Sequence, residues 1–124
     1  MVIMSTEPST DRPPVRDRMR AALSVAMKAR DRQAITALRA TLGAVDNAEA
    51  VDVGEHRAGG IETSAVGLGV TEVARRELTE ADIEQIVRAE IAERHTAADE
   101  YDRLGRQEHA ENLRVQAQTL SDLL

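Results

Sequence analysis

Apolar residues recur at helical spacing over the first part of the chain and predict two adjoining helices. Over residues 13–30 they follow the i, i+4, i+7, i+8 pattern of one helix face, at Val15, Met19, Ala22, Leu23, Ala26 and Met27. A second face over residues 32–51 runs through Ile35, Leu38, Leu42 and Val45. Asp31 stands directly before it as a candidate N-cap. Because almost no chain separates the two patterns, we expect an antiparallel helix hairpin.

Two further helices are predicted in the second half of the chain. Thr79 is a candidate N-cap with Asp82 three residues on, and Gly105 is a natural helix end, so the third helix is expected over 80–104. Its apolar face comprises Ile83, Ile86, Val87, Ile91, Ala97, Ala98, Tyr101 and Leu104. The last helix has its seam at Ala110, Leu113, Ala117, Leu120 and Leu124. We expect this apolar end either to pack against the first helix or to self-associate.

The remaining segments set the domain organisation. Residues 1–12 are expected to form a disordered lead, and residues 13–124 a single helical domain. Residues 52–70 carry five of the seven glycines and predict a flexible connector within that domain. No window alternates apolar and polar residues in the manner of a strand. The predicted fold is therefore all-α, a bundle of about four main helices in which a hairpin is followed by a long helix and a C-terminal helix.

Composition excludes several classes of site. The chain has no cysteine, so it has no disulfide, no thiolate zinc site and no cysteine nucleophile. It has one tyrosine and neither phenylalanine nor tryptophan, which leaves little for base stacking on nucleic acid. No run approaches the roughly 20 apolar residues of a membrane span. We expect a cytoplasmic protein without a cofactor, and we assign no metal ligands, since His95 and Asp99 alone form a weak pair.

Charged residues interrupt two of the predicted apolar faces. Glu90 and Arg94 lie at i and i+4 near the centre of the apolar face of the third helix. Glu49 stands where the apolar seam of the second helix would have an apolar residue. The sequence therefore predicts a polar seam between helices, in which Arg94 is shared by Glu90 and Glu49 with Arg39 nearby. One interpretation is an ion pair that fixes helix register. The alternative is a polar pocket whose carboxylates bind a ligand or do acid–base work.

Charge is distributed unevenly along a chain of net charge −6. Residues 11–32 carry seven Lys/Arg and three Asp, whereas the remainder is acidic. The first helix thus has a basic face at Arg16, Arg20, Lys28 and Arg30. This face either contacts an acidic partner or is a solvated surface that complements the acidic body.

Several short motifs, in this order, resemble those of the YqeY-like proteins of bacteria. They are "AMKARD", the "LR" at 38–39, the "NAE" at 47–49, the "LTE" helix start, the arginine after "AE" and the "GR" at 105–106. The resemblance covers roughly residues 18–124. That family shares a domain with the C-terminal region of GatB, a subunit of the glutamine-dependent tRNA amidotransferase. This chain looks like a shortened form, without the tail domain that follows in longer members.

The resemblance implies a helical fold and a link with tRNA-dependent amidation, a carbon–nitrogen ligase reaction that other domains catalyse. We expect a non-catalytic interaction module with a protein partner or weak self-association. The alternative is an accessory factor in amidation that binds tRNA or an amidotransferase subunit, although the part of the family tied to tRNA is the missing tail. A third hypothesis makes Glu49 and Glu90 the carboxylate pair of a small enzyme. We assign no catalytic residue.

Overall fold

The computed structural model describes residues 12–59 and 77–124, and the side chains of residues 12–50 and 77–124. Over these residues the chain forms four helices: α1 (Val15–Ala29), α2 (Arg32–Gly59), α3 (Glu80–Arg103) and α4 (Gln107–Ser121). The described ranges contain no strand, so the prediction of an all-α bundle of four helices is confirmed. The lead predicted at 1–12 lies, apart from Arg12, outside the described residues.

The first two helices form the predicted hairpin. Arg30 takes a left-handed conformation (φ 58°) after α1, and the amides of Arg30 and Asp31 close the helix end on Met27 and Ala26. The Asp31 carboxylate accepts a hydrogen bond of 3.2 Å from the amide of Ala34, so it caps α2 as expected. The second helix is longer than predicted and continues to Gly59, through the first part of the glycine-rich connector. The rest of the connector lies outside the described residues.

The second hairpin, α3–α4, has strong local signals at its start and its turn. Thr79 and Asp82 form a reciprocal capping box, with both hydrogen bonds at 3.0 Å. Gly105 reverses the chain at φ 77°, a conformation that costs little only for glycine. One end of the hairpin is fastened to α1, because the amide of Val15 donates a 2.8 Å hydrogen bond to Oε2 of Glu80.

Small aliphatic side chains from all four helical regions form one core. Its buried members are Val15, Met19, Ala26, Ala34, Ala37, Leu38, Val45, Ile83, Val87, Leu120 and Leu123. The C-terminal leucines share this core with Val15 and Met19 at the start of α1, as one of the two expectations for this end of the chain had it. Arg18 supports that contact with a 2.9 Å hydrogen bond to the carbonyl of Leu123. Met27, predicted to face inward, is instead 48% exposed.

Candidate functional site

Glu90 and Arg94, the two charged residues on the apolar face of the third helix, form the ion pair that their spacing predicts. Nη1 of Arg94 lies 2.8 Å from Oε1 of Glu90, and the same nitrogen donates to the carbonyl of Glu90 at 3.1 Å. The side chains are 12% and 18% exposed respectively, so both are largely removed from water. A charge in such a place is tolerated because its partner lies one helical turn away on the same face.

Two glutamines extend this pair across the bundle. Nε of Arg94 donates to Oε1 of Gln116 at 3.0 Å, and Nε2 of Gln116 donates to Oε1 of Gln33 at 2.7 Å. We call these four residues, Gln33, Glu90, Arg94 and Gln116, the polar chain. It joins the start of α2 to α3 through Gln116 on α4. Each hydrogen bond in it links one member to the next, so the groups satisfy one another's bonding needs inside the protein.

Sequence reasoning missed both glutamines of the polar chain. Gln116 lies three residues after Leu113 and four before Leu120, so it shares the apolar seam of α4, and that position was the available signal. In the structure it is 8% exposed. Gln33 sits in the first turn of α2, where the sequence gives no hint of a partner 83 residues away.

Glu49 belongs to a different contact from the one predicted. Its Oε2 lies 2.7 Å from Nη2 of Arg16, which connects α2 to α1. The prediction that Arg94 is shared by Glu90 and Glu49 is therefore right for Glu90 and wrong for Glu49. The physical reason is helix pairing: the antiparallel α1–α2 hairpin brings the first turn of α1 beside residue 49. The hydrogen bond that Arg16 donates to Glu49, with smaller contributions from Asp46 and Asp17, raises the pKa of Arg16.

Arg39 was expected near this polar seam, and the structure places it elsewhere. It is exposed, and its Nη2 lies 4.0 Å from Sδ of Met27. The long side chain thus crosses to the end of α1 on the outside of the hairpin. Its neighbour there is a half-exposed thioether, so Arg39 takes no part in the polar chain.

The basic face predicted on the first helix is divided by the structure. Arg16 is drawn inward to Glu49, with its side chain 27% exposed. Arg20, Lys28 and Arg30 remain on the surface. The only described ion-pair contact of Arg20 is with Asp17, at 4.0 Å between two exposed side chains, which is a weak interaction. Three of the four predicted cations are therefore accessible to a partner.

The chemistry available to these groups follows from their partners. The carboxylates of Glu49 and Glu90 bind different arginines on different helices, so the structure does not assemble them into an acid–base pair. Among the side chains of residues 12–50 and 77–124, no three His, Asp or Glu groups approach closely enough to hold a metal ion. The internal polar groups are arranged to join helices. Accessible charged groups lie on α1, where they are mainly basic, and also on α3 and α4.

Comparison with models of known protein families, with curated proteins and with solved structures yields no match for this chain. The helices in the described ranges also lack the combination of length and apolar character that a membrane crossing requires.

Proposed function

We propose that this chain is a non-catalytic, YqeY-like helical module that works by contacting another macromolecule in the bacterial cytoplasm. The observation that carries the proposal is the contrast between the inside and the outside of the bundle. Inside, Arg94 donates hydrogen bonds to both Glu90 and Gln116. Outside, the first helix presents Lys28 beside Val25, which is 67% exposed.

A surface of this kind suits a protein partner. Cationic side chains attract an acidic surface, and exposed apolar side chains gain from burial in an interface. The family resemblance supplies the partner: the proposed contact is with a subunit of the glutamine-dependent tRNA amidotransferase. In that role the module needs no cofactor and no catalytic group of its own.

The test is a titration of the fluorescently labelled chain with purified amidotransferase, followed by anisotropy. We expect binding with a Kd in the micromolar range, weakened at least tenfold, about 1.4 kcal/mol, by Lys28→Glu. Arg88→Glu is the matched control, since Arg88 is an exposed cation of α3 whose only described ion-pair partner is Glu84. Absence of binding at about 100 µM, or equal weakening by both variants, contradicts the proposal.

The alternative function, an accessory factor that binds tRNA, is separated by its own measurement. Phosphate recognition depends on released counterions, so tRNA affinity should fall steeply between about 50 and 200 mM salt. A gel-shift titration with tRNA at physiological salt therefore decides between the two. If the chain retards tRNA and Lys28→Glu abolishes the retardation, the accessory factor is favoured. If tRNA migrates unretarded, the accessory factor is excluded and the protein-binding module remains the proposed function.

A further inference from the structure

The hydrogen bonds between helices fix how far each one extends along the bundle. The bond from Val15 to Glu80 sets the starts of α1 and α3 at one level. At the other end, Gln33 is linked through Gln116 to Arg94, so the turn between α1 and α2 lies level with Arg94. The third helix continues from there to Arg103, which at 1.5 Å per residue is about 13 Å further. The α3–α4 hairpin therefore projects beyond the first hairpin.

The projecting part, residues 95–115, is here called the α3–α4 tip. Ala98 and Ala110 are fully buried in it but do not belong to the main core, so the tip has a small packing interface of its own. The rings of Tyr101 and His109 lie 4.9 Å apart between its two helices. These contacts hold the projection together as a paired helical arm.

A single arginine clamps the same two helices at the base of the tip. Nη2 of Arg114 on α4 lies 2.6 Å from Asp102 and 3.1 Å from Asp99 on α3. These hydrogen bonds raise the pKa of Arg114. The clamp and the ring contact together indicate that the tip keeps its shape when it meets another surface.

The tip and the neighbouring turn carry opposite charge. The turn surface is defined as the exposed part of residues 25–39, which contain four Lys/Arg and one Asp. The tip contains five Asp/Glu and three Arg, and one of those arginines is Arg114, already bound to two carboxylates. Exposed acidic side chains on it include Glu108 and Glu111.

Exposed apolar side chains mark the same two surfaces. In the part of the chain that the structure describes, the large hydrophobic residues with exposed side chains are two on the turn surface and two on the tip: Val25, Met27, Leu104 and Val115. Each surface thus combines a net excess of one sign of charge with exposed apolar side chains. Complementary charge and shared apolar character are the properties of two surfaces that bind each other.

We propose that a second copy of this chain binds these two surfaces, with the tip of each copy lying across the turn surface of the other. Both surfaces lie at the same end of the bundle, so a two-fold axis brings the two contacts together. Such an arrangement is closed and reciprocal, the commonest symmetry of homodimers. The inference does not depend on the amidotransferase, because the chain alone supplies both surfaces.

Sedimentation equilibrium on the purified chain tests the proposal with two charge-reversal variants. One is Lys28→Glu/Arg32→Glu in the turn surface, and the other is Glu108→Lys/Glu111→Lys in the tip. We expect the unaltered chain to form a dimer that weakens as salt rises from about 0.05 to 0.5 M. Each variant alone should form a dimer with a Kd at least tenfold higher than that of the unaltered chain. An equimolar mixture of the two should associate again, because every reversed charge then faces its opposite.

Circular dichroism of each variant establishes that it is folded before its association is compared. Arg88→Glu serves as the control, since Arg88 lies on α3 outside the tip. The dimer of this variant should have the same Kd as the dimer of the unaltered chain. A chain that remains monomeric at about 1 mM in low salt overturns the proposal. A dimer that survives both charge reversals, or a mixture that stays monomeric, overturns it as well.

Discussion

Nη2 of Arg16 lies 2.7 Å from Oε2 of Glu49, and this contact ties the first turn of α1 to the middle of α2. The Glu49 side chain is 10% exposed and the Arg16 side chain 27%, so the pair is partly shielded from water. In an antiparallel hairpin, a bond this far from the turn fixes the relative position of the two helices along their whole length. The glutamate that interrupts the apolar seam of α2 is therefore a register contact within the first hairpin.

The strength of that contact is measurable with a double-mutant cycle on Arg16→Ala and Glu49→Ala. We expect a coupling free energy of about 1 kcal/mol from unfolding in urea, because the short bond is only partly screened by solvent. The cycle cancels the other interactions of either residue. The control cycle uses Arg20 and Asp17, which are 4.0 Å apart with side chains 63% and 59% exposed, and should give below about 0.5 kcal/mol. Equal couplings in the two cycles would contradict the assigned role.

The polar chain predicts a larger effect at Arg94. Arg94→Met keeps much of the side-chain volume but leaves the buried oxygens of Glu90 and Gln116 without their donor. We expect the free energy of unfolding to fall by about 2 kcal/mol, the scale of orphaning partly buried acceptors. Denaturant unfolding followed by circular dichroism measures the loss.

Arg88→Met is the matched control for that substitution. Arg88 has the same Glu-x-x-x-Arg spacing on the same helix, but its pair with Glu84 is 3.6 Å long and exposed. The change should be within about 0.5 kcal/mol. If Arg94→Met lowers the free energy of unfolding no more than Arg88→Met does, the polar chain contributes nothing to stability.

The two leucines that follow α4 are held by arginines near the start of the chain. Arg18 donates to the carbonyl of Leu123, and Arg12 donates to the carbonyls of Leu123 and Leu124 at 3.2 and 3.0 Å. Arg18→Ala should therefore loosen the last turn, with stability reduced by about 1 kcal/mol. Amide hydrogen exchange at Leu123, whose amide bonds to Leu120 at 3.1 Å, should become faster. Arg20→Ala, an exposed change on the same helix, should leave that exchange rate as it was.

The parts of the fold that could be predicted from the sequence are those set by local chemistry. The capping box of Thr79 and Asp82 and the turn at Gly105 depend on residues within a few positions of each other, and both are confirmed. The pairing of Glu90 with Arg94 is local in the same way. Helical spacing of aliphatic residues was enough to predict the all-α bundle.

What the sequence left open depends on how helices align with each other. Glu49 could be placed inside the bundle from its seam position, but the choice between Arg16 and Arg94 as its partner depends on the register of α1 against α2. The bond between Gln33 and Gln116 likewise requires the full tertiary arrangement. The extension of α2 to Gly59 was missed because Gly54 and Gly59 are poor helix formers, and intrinsic propensity is a weak guide where the surrounding structure decides.

Arg30 has a left-handed backbone conformation at the end of α1, and here a substitution is expected to stabilise the protein. Arg30 has φ 58°, a conformation that costs a residue with a Cβ roughly 1–2 kcal/mol, while glycine adopts it freely. Glycine loses more backbone entropy on folding, so Arg30→Gly should stabilise the protein by up to about 1 kcal/mol. Lys28→Gly removes a neighbouring basic side chain inside the helix and should destabilise by a similar amount. Thermal unfolding of the two variants should therefore shift in opposite directions; a fall in melting temperature for Arg30→Gly would rule out strain at this turn.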